Sequence, residues 1–127
     1  LVSNEKEFEI NISEKSKESV FVKHLNGPLF FGFTSEFVSI ANKIPKTASV
    51  IIIDMEKVPY IDQSGLFALE DVILDLDKKD IKIIMTGIQS QPMQLMKTIG
   101  ILGELIPEER VFKSLADSKS FLIDQIK

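Results

Sequence analysis

A carboxylate, a hydroxyl and a glycine stand close together in Asp62-Gln63-Ser64-Gly65, where an apolar strand-like run ends and an amphipathic helix-like run begins. Asp62 has the side chain of a helix N-cap. Its oxygens can accept hydrogen bonds from the backbone N–H groups of Ser64 and Gly65, which a first helical turn leaves without partners. Ile61 before the cap and Leu66 after it have the spacing of a hydrophobic staple, which fixes the angle at which the chain enters the helix. Gly65 adds no bulk, so the Ser64 hydroxyl is expected at the positive end of the helix dipole, facing solvent or a partner. The plainer alternative is that Asp62 is a cap and Ser64 a small polar residue of the first turn, and nothing more.

The elements that must position this turn are legible on both sides of it. Glu7 to Ile12 alternates, with Phe8, Ile10 and Ile12 on one side, which predicts a half-buried strand near a sheet edge. Val20 to Leu25 forms a second strand, antiparallel to the first because the link between them is too short for a crossover. After Asn26-Gly27-Pro28, the segment Leu29-Phe30-Phe31-Gly32 is apolar and extended. Phe33, Phe37, Ile40, Ala41 and Ile44 then follow at helical spacing and end at Pro45. Val50 to Ile53 has no polar side, as suits a central strand covered on both faces. Central strands are therefore expected over 48–54 and 81–85.

Downstream of the turn, Leu66, Leu69, Ile73 and Leu76 form one helical stripe. Phe67 and Leu74 lie beside it, either widening the core or forming a docking surface. Ser90 to Ile99 predicts a helix ended by Gly100, with Ile101 making the apolar contact of a glycine C-cap. A brief strand is expected at Arg110 to Phe112, then a last helix capped by Ser114 and carrying Leu115, Leu122 and Ile126. Strand and helix alternate from Val50 onward, so the fold class is α/β. The expected architecture is a mixed β-sheet, with an N-terminal edge hairpin, central parallel strands and four to five helices on its faces. In such a sheet functional groups collect at the carboxyl ends of the strands, where the Asp62 turn falls.

Composition narrows the function. A chain of 127 residues is the size of one domain, so residues 1–127 are read as a single unit. It starts at Leu1, which suggests a piece of a longer protein. With 19 acidic and 15 scattered basic residues the net charge is −4, which leaves no electrostatic footprint for nucleic acid. Zero cysteines and the single His24 exclude thiolate metal sites and a paired imidazole, so no metal or cofactor is expected and His24 is read as structural or surface. No run approaches the ~20 apolar residues of a membrane span. A phosphate-cradling Gly-Lys-Ser/Thr loop is missing and no histidine lies near Ser64 in sequence, so enzyme activity has little support.

The stretch Val58-Pro59-Tyr60-Ile61-Asp62-Gln63-Ser64-Gly65-Leu66, the upstream Gly27-Pro28-Leu29-Phe30-Phe31-Gly32 and the downstream Gly87 with its Pro-containing helix together resemble the STAS domain family. The apolar Gly-Pro-Leu-Phe-Phe-Gly segment looks like the branch that forms the cytoplasmic C-terminal domain of SulP-type anion transporters. That branch implies a non-catalytic regulatory or assembly domain on the cytoplasmic face of the inner (plasma) membrane. The membrane portion of such a protein would move sulfate, bicarbonate or dicarboxylate. Partners would be the membrane domain of the same chain, a regulatory protein, or a second copy in a homodimer. Gln63, Ser64, Leu66, Phe67, Phe30 and Phe31 are the partner-binding candidates. The other branch, free-standing anti-sigma-factor antagonists, implies phosphorylation of the serine before the glycine, here Ser64. Gln63 departs from the small residue common at the middle of that motif.

Overall fold

The computed structural model describes residues 8–11, 19–27, 44 and 48–126. A five-stranded sheet runs through them in the order β1-β2-β3-β4-β5. The strands are β1 (Phe8–Asn11), β2 (Ser19–Asn26), β3 (Val50–Lys57), β4 (Lys82–Thr86) and β5 (Val111–Phe112). β1 and β2 pair antiparallel, as the edge hairpin requires, and every later pairing is parallel. Parallel pairing thus begins at β2 against β3, one strand earlier than the alternation of strand and helix suggested.

Three α-helices are described, α1 (Gln63–Lys78), α2 (Ser90–Thr98) and α3 (Leu115–Ile126), with a 3₁₀ turn over Glu108–Arg110. Four to five were expected. The helix predicted from Phe33 to Ile44 lies, Ile44 apart, outside the described residues, as do Phe30 and Phe31. The end of the expected Arg110–Phe112 strand survives as β5, while Arg110 itself closes the 3₁₀ turn.

The β-branched run of β3 is buried on both faces, as its lack of a polar side predicts. Ile51, Ile53 and Met55 join Ile83 and Met85 in a core shared with Leu66, Leu69, Ile73 and Leu76 of α1 and Met96 of α2. Val50 and Ile52 face the other way, onto Val20, Val22, Ile84 and Leu122 of α3. Phe112 and Phe121, with ring centroids 5.2 Å apart, close this second layer between β5 and α3.

The helix ends follow their local chemistry. Gly100, at φ +85°, terminates α2, and its N–H donates to the carbonyl of Lys97 at 3.2 Å. Ile101 and Met96 are both fully buried and belong to the same core cluster, where a glycine C-cap places its apolar residues. Ser114 Oγ accepts from the Asp117 N–H at 3.1 Å and starts α3.

Candidate interaction site at the Asp62 turn

The chain leaves β3 at Lys57 and reaches α1 at Gln63 through five residues. Val58 and Ile61 point into the core at 0% exposure, while Pro59 and Tyr60 stay outside. Asp62 is extended (φ −91°, ψ 176°), and its Oδ1 accepts from the Gly65 N–H at 2.7 Å. The first helical bond runs from the Leu66 N–H to the Asp62 carbonyl at 2.9 Å. Ile61 and Leu66 are buried in the same cluster, so the staple expected from their spacing is present.

Burial divides the candidate residues. Gln63 and Phe67 are exposed, Ser64 is half-buried, and Gly65 and Leu66 are buried. Leu66, at 3% exposure, is therefore a core residue and not a partner contact: position N4 of the staple faces inward when N′ does. Ser64 lies less open than expected, in the second position of α1, and its side chain makes no hydrogen bond among the described residues.

Two glutamines at the start of α2, Gln89 at its N-cap position and Gln91 in its first turn, bond to the backbone of β3 and of the turn that follows it. Gln91 Oε1 accepts from the Ile61 N–H at 2.9 Å, and Gln91 Nε2 donates to the Ile61 carbonyl at 3.0 Å. One side-chain amide thus pairs with both backbone groups of the residue before the cap, as a neighbouring strand would. Gln89 Nε2 donates to the Glu56 carbonyl at 2.8 Å. The sequence offers no signal for either contact, since the partners lie 30 and 33 residues apart.

A second polar cluster crosses the sheet at the carboxyl ends of β2, β3 and β4. His24, Asp54 and Thr86 are register neighbours. Asp54 Oδ2 lies 2.8 Å from His24 Nδ1, and its Oδ1 accepts from the Thr86 hydroxyl at 2.8 Å. The Asp54 side chain is only 8% exposed, so these contacts satisfy a carboxylate that burial would otherwise penalise. Gly87, at φ +66°, closes the cluster, because a Cβ there would come within 3.1 Å of Asp54 Oδ1 and of the Glu56 backbone. His24, read as structural or surface, is half-buried and bonded to Asp54, while Asp54 and Thr86 were missed. The signal was available: each is the first polar residue after an apolar strand run, at the strand end where an α/β sheet gathers its polar groups.

Among the described residues no group of three or more His, Asp or Glu side chains converges as a metal site. A cavity of about 310 Å³ is lined by Met93, Lys97, Leu102, Glu108 and Val111, none of which belongs to the turn. No described helix is long and apolar enough to cross a membrane.

Known proteins resemble this chain in sequence and fold. The family model for the STAS domain matches residues 11–118. The Bacillus subtilis (strain 168) protein named "Putative sulfate transporter YvdB" is 27% identical over 95 residues, covering 74% of this chain and 18% of that protein. The chain therefore spans less than a fifth of the length of this relative. The crystal structure of a sulfate transporter family protein from Wolinella succinogenes superposes with a TM-score of 0.74 at 27% identity, over 84% of this chain and 88% of that one. The SulP transporter STAS domain from Vibrio cholerae gives 0.70 at 28% identity, over 84% and 81% of the two chains. The anti-sigma factor antagonist SpoIIAA is similar in fold alone, at 14% identity, with a TM-score of 0.63 over 95% of this chain and 96% of that one. A sheet of this order, a capped turn at the carboxyl end of its central strand and a family match over most of the length place the chain in the STAS domain family.

Proposed function

We propose that this chain is the regulatory and assembly domain of a SulP-type anion transporter, one part of a longer polypeptide, working at the cytoplasmic face of the inner (plasma) membrane. It carries out no catalysis in this reading. Transport of sulfate or a related anion belongs to the membrane portion, and the domain acts by contact with that portion or with a regulatory protein.

The observation that carries this reading is the way the Asp62 turn is used. Asp62 and Gln91 are engaged in holding the backbone, and the single histidine is bonded to Asp54, so among the described residues no base hydrogen-bonds to the Ser64 hydroxyl. What remains is a rigid turn that presents Gln63 and part of Ser64 at the N-terminal end of an exposed helix face. That geometry suits recognition by a partner, and among the described residues Ser64 has no base paired with it. The likeness to transporter domains at 27% and 28% identity favours this branch over the antagonists, whose likeness is one of fold.

Anion uptake by the full-length polypeptide tests the proposal. Sulfate uptake that falls when this domain is deleted, or when Gln63 is changed to Arg in the intact domain, is the expected result. A parent polypeptide without membrane spans, or uptake indifferent to both changes, would overturn it.

A further inference from the structure

We infer that the outward face of α1, centred on Phe67 and Leu74, seats an amphipathic helix flanked by Lys and Arg, contributed by the cytoplasmic side of the transporter's own membrane portion. The inference rests on the reading of this chain as a transporter domain and adds the surface and the chemistry of its occupant.

Phe67 is 46% exposed and Leu74 37% exposed; with Tyr60 they are the large apolar side chains left open among the described residues. Both belong to α1, whose residues Leu66, Leu69, Val72, Ile73 and Leu76 are buried. Seven residues apart, Phe67 and Leu74 lie one above the other, about 10 Å along the helix, at the middle of the face that points away from the core. Gln63 continues this strip toward the Asp62 turn and Lys78 continues it toward the helix end.

Carboxylates border the strip on both sides. The helical projection puts Glu70 and Asp77 along one flank and Asp71 and Asp75 along the other. Asp75 is paired with Lys79 at 3.0 Å, whereas Glu70, Asp71 and Asp77 have no ion pair among the described residues.

This pattern selects its occupant by charge. A second copy of the same face would set carboxylate against carboxylate, and an anionic lipid surface would meet the same repulsion. A purely apolar segment would strip water from the flanking carboxylates without replacing it. A helix with apolar side chains at heptad spacing and Lys or Arg beside them meets both the strip and its borders. Segments next to membrane spans on the cytoplasmic side carry an excess of Lys and Arg, so the transporter's own chain is a natural source of such a helix.

The test is a titration of the ¹⁵N-labelled chain with a synthetic helical peptide of about 21 residues, bearing Leu at heptad positions and Lys elsewhere. Expected are amide shifts centred on Gln63, Phe67, Asp71 and Leu74, and binding weakened roughly tenfold by Phe67→Ser or Leu74→Ser, with melting temperatures close to the parent's because both side chains are exposed. Equal binding of the same peptide with Glu for Lys, shifts centred elsewhere, or variants that bind as the parent does would overturn the inference. So would shifts of these amides on raising the chain's own concentration, or on adding phosphatidylglycerol vesicles. The source is read in the full-length polypeptide with photoreactive p-benzoylphenylalanine at position 67. A cross-link to a Lys/Arg-rich segment of the same chain supports it, and one to another polypeptide overturns it. A parent chain without spans removes the transporter reading together with this source, whereas failure of the peptide titration in a chain that has spans removes the inference alone.

Discussion

Gln91 pairs with both the N–H and the carbonyl of Ile61, at 2.9 and 3.0 Å, and so ties the first turn of α2 to the turn before α1. Two bonds from one side chain to one residue define position and orientation together, as a ladder does between strands. Replacing Gln91 by Leu keeps most of its bulk and removes both bonds, leaving the N–H and carbonyl of the buried Ile61 without these partners. The expected loss is about 1–2 kcal/mol in urea unfolding, with faster hydrogen exchange at the Ile61 amide. Exchange at the parent's rate would mean that the staple alone holds the turn.

Asp62→Ala removes the acceptor for the Gly65 N–H and should cost about 1 kcal/mol, while Asp62→Asn should recover most of that loss, since Asn caps nearly as well. Thermal melts of the three proteins give the comparison. Equal melts for the Ala and Asn variants would assign the effect to charge and not to the cap.

Ser64 stands on the Asp71 flank of the α1 face, so an added carboxylate there affects binding more than folding. The helix dipole favours it and the nearby Asp62 opposes it, each by about 0.5–1 kcal/mol, so Ser64→Asp should melt within a few degrees of the parent. Its affinity for the Lys-bearing peptide should rise by a few-fold at low salt, and the gain should fade at high salt. Unfolding of the variant would show that the half-buried Ser64 side chain is part of the scaffold.

Gly87→Ala meets two obstacles together, a φ of +66° and a Cβ 3.1 Å from Asp54 Oδ1 and Glu56 Cα. The left-handed backbone alone costs about 1–2 kcal/mol, and the contact adds to it by displacing the carboxylate from His24 and Thr86. The expected result is a melting temperature lowered by several degrees, with changed imidazole ¹⁵N shifts at His24. An unchanged His24 spectrum would separate the backbone strain from the polar cluster.

Periodicity made the strands, α1 to α3 and the inward stripe of α1 readable, because burial on one side of a helix or on both sides of a strand leaves its mark on neighbouring residues. The Asp62 cap and the Ile61–Leu66 staple were readable for the same reason, since both act within a few residues. The direction of Leu66 followed from the staple, yet assigning it to a partner overlooked that the staple itself requires burial. Contacts between distant residues left no such mark. Gln91 with Ile61, and Asp54 with His24 and Thr86, come together only when parallel strands set 30 residues apart side by side. Phe67 and Leu74 fell between these cases: their spacing was visible, and only the packing of α1 decided that they face outward.

The strands lie side by side in the order in which they occur in the chain, from β1 to β5. During synthesis, each strand from β2 onward finds one of its neighbours already made, so the sheet can grow one strand at a time from the β1 edge. Loop closure is confined to one crossover at a time, which shortens the interval in which the apolar β3 is open to other chains. If a membrane portion is encoded upstream, the domain can assemble edge to edge beside segments already inserted, and its α1 face becomes available before the last two strands are complete.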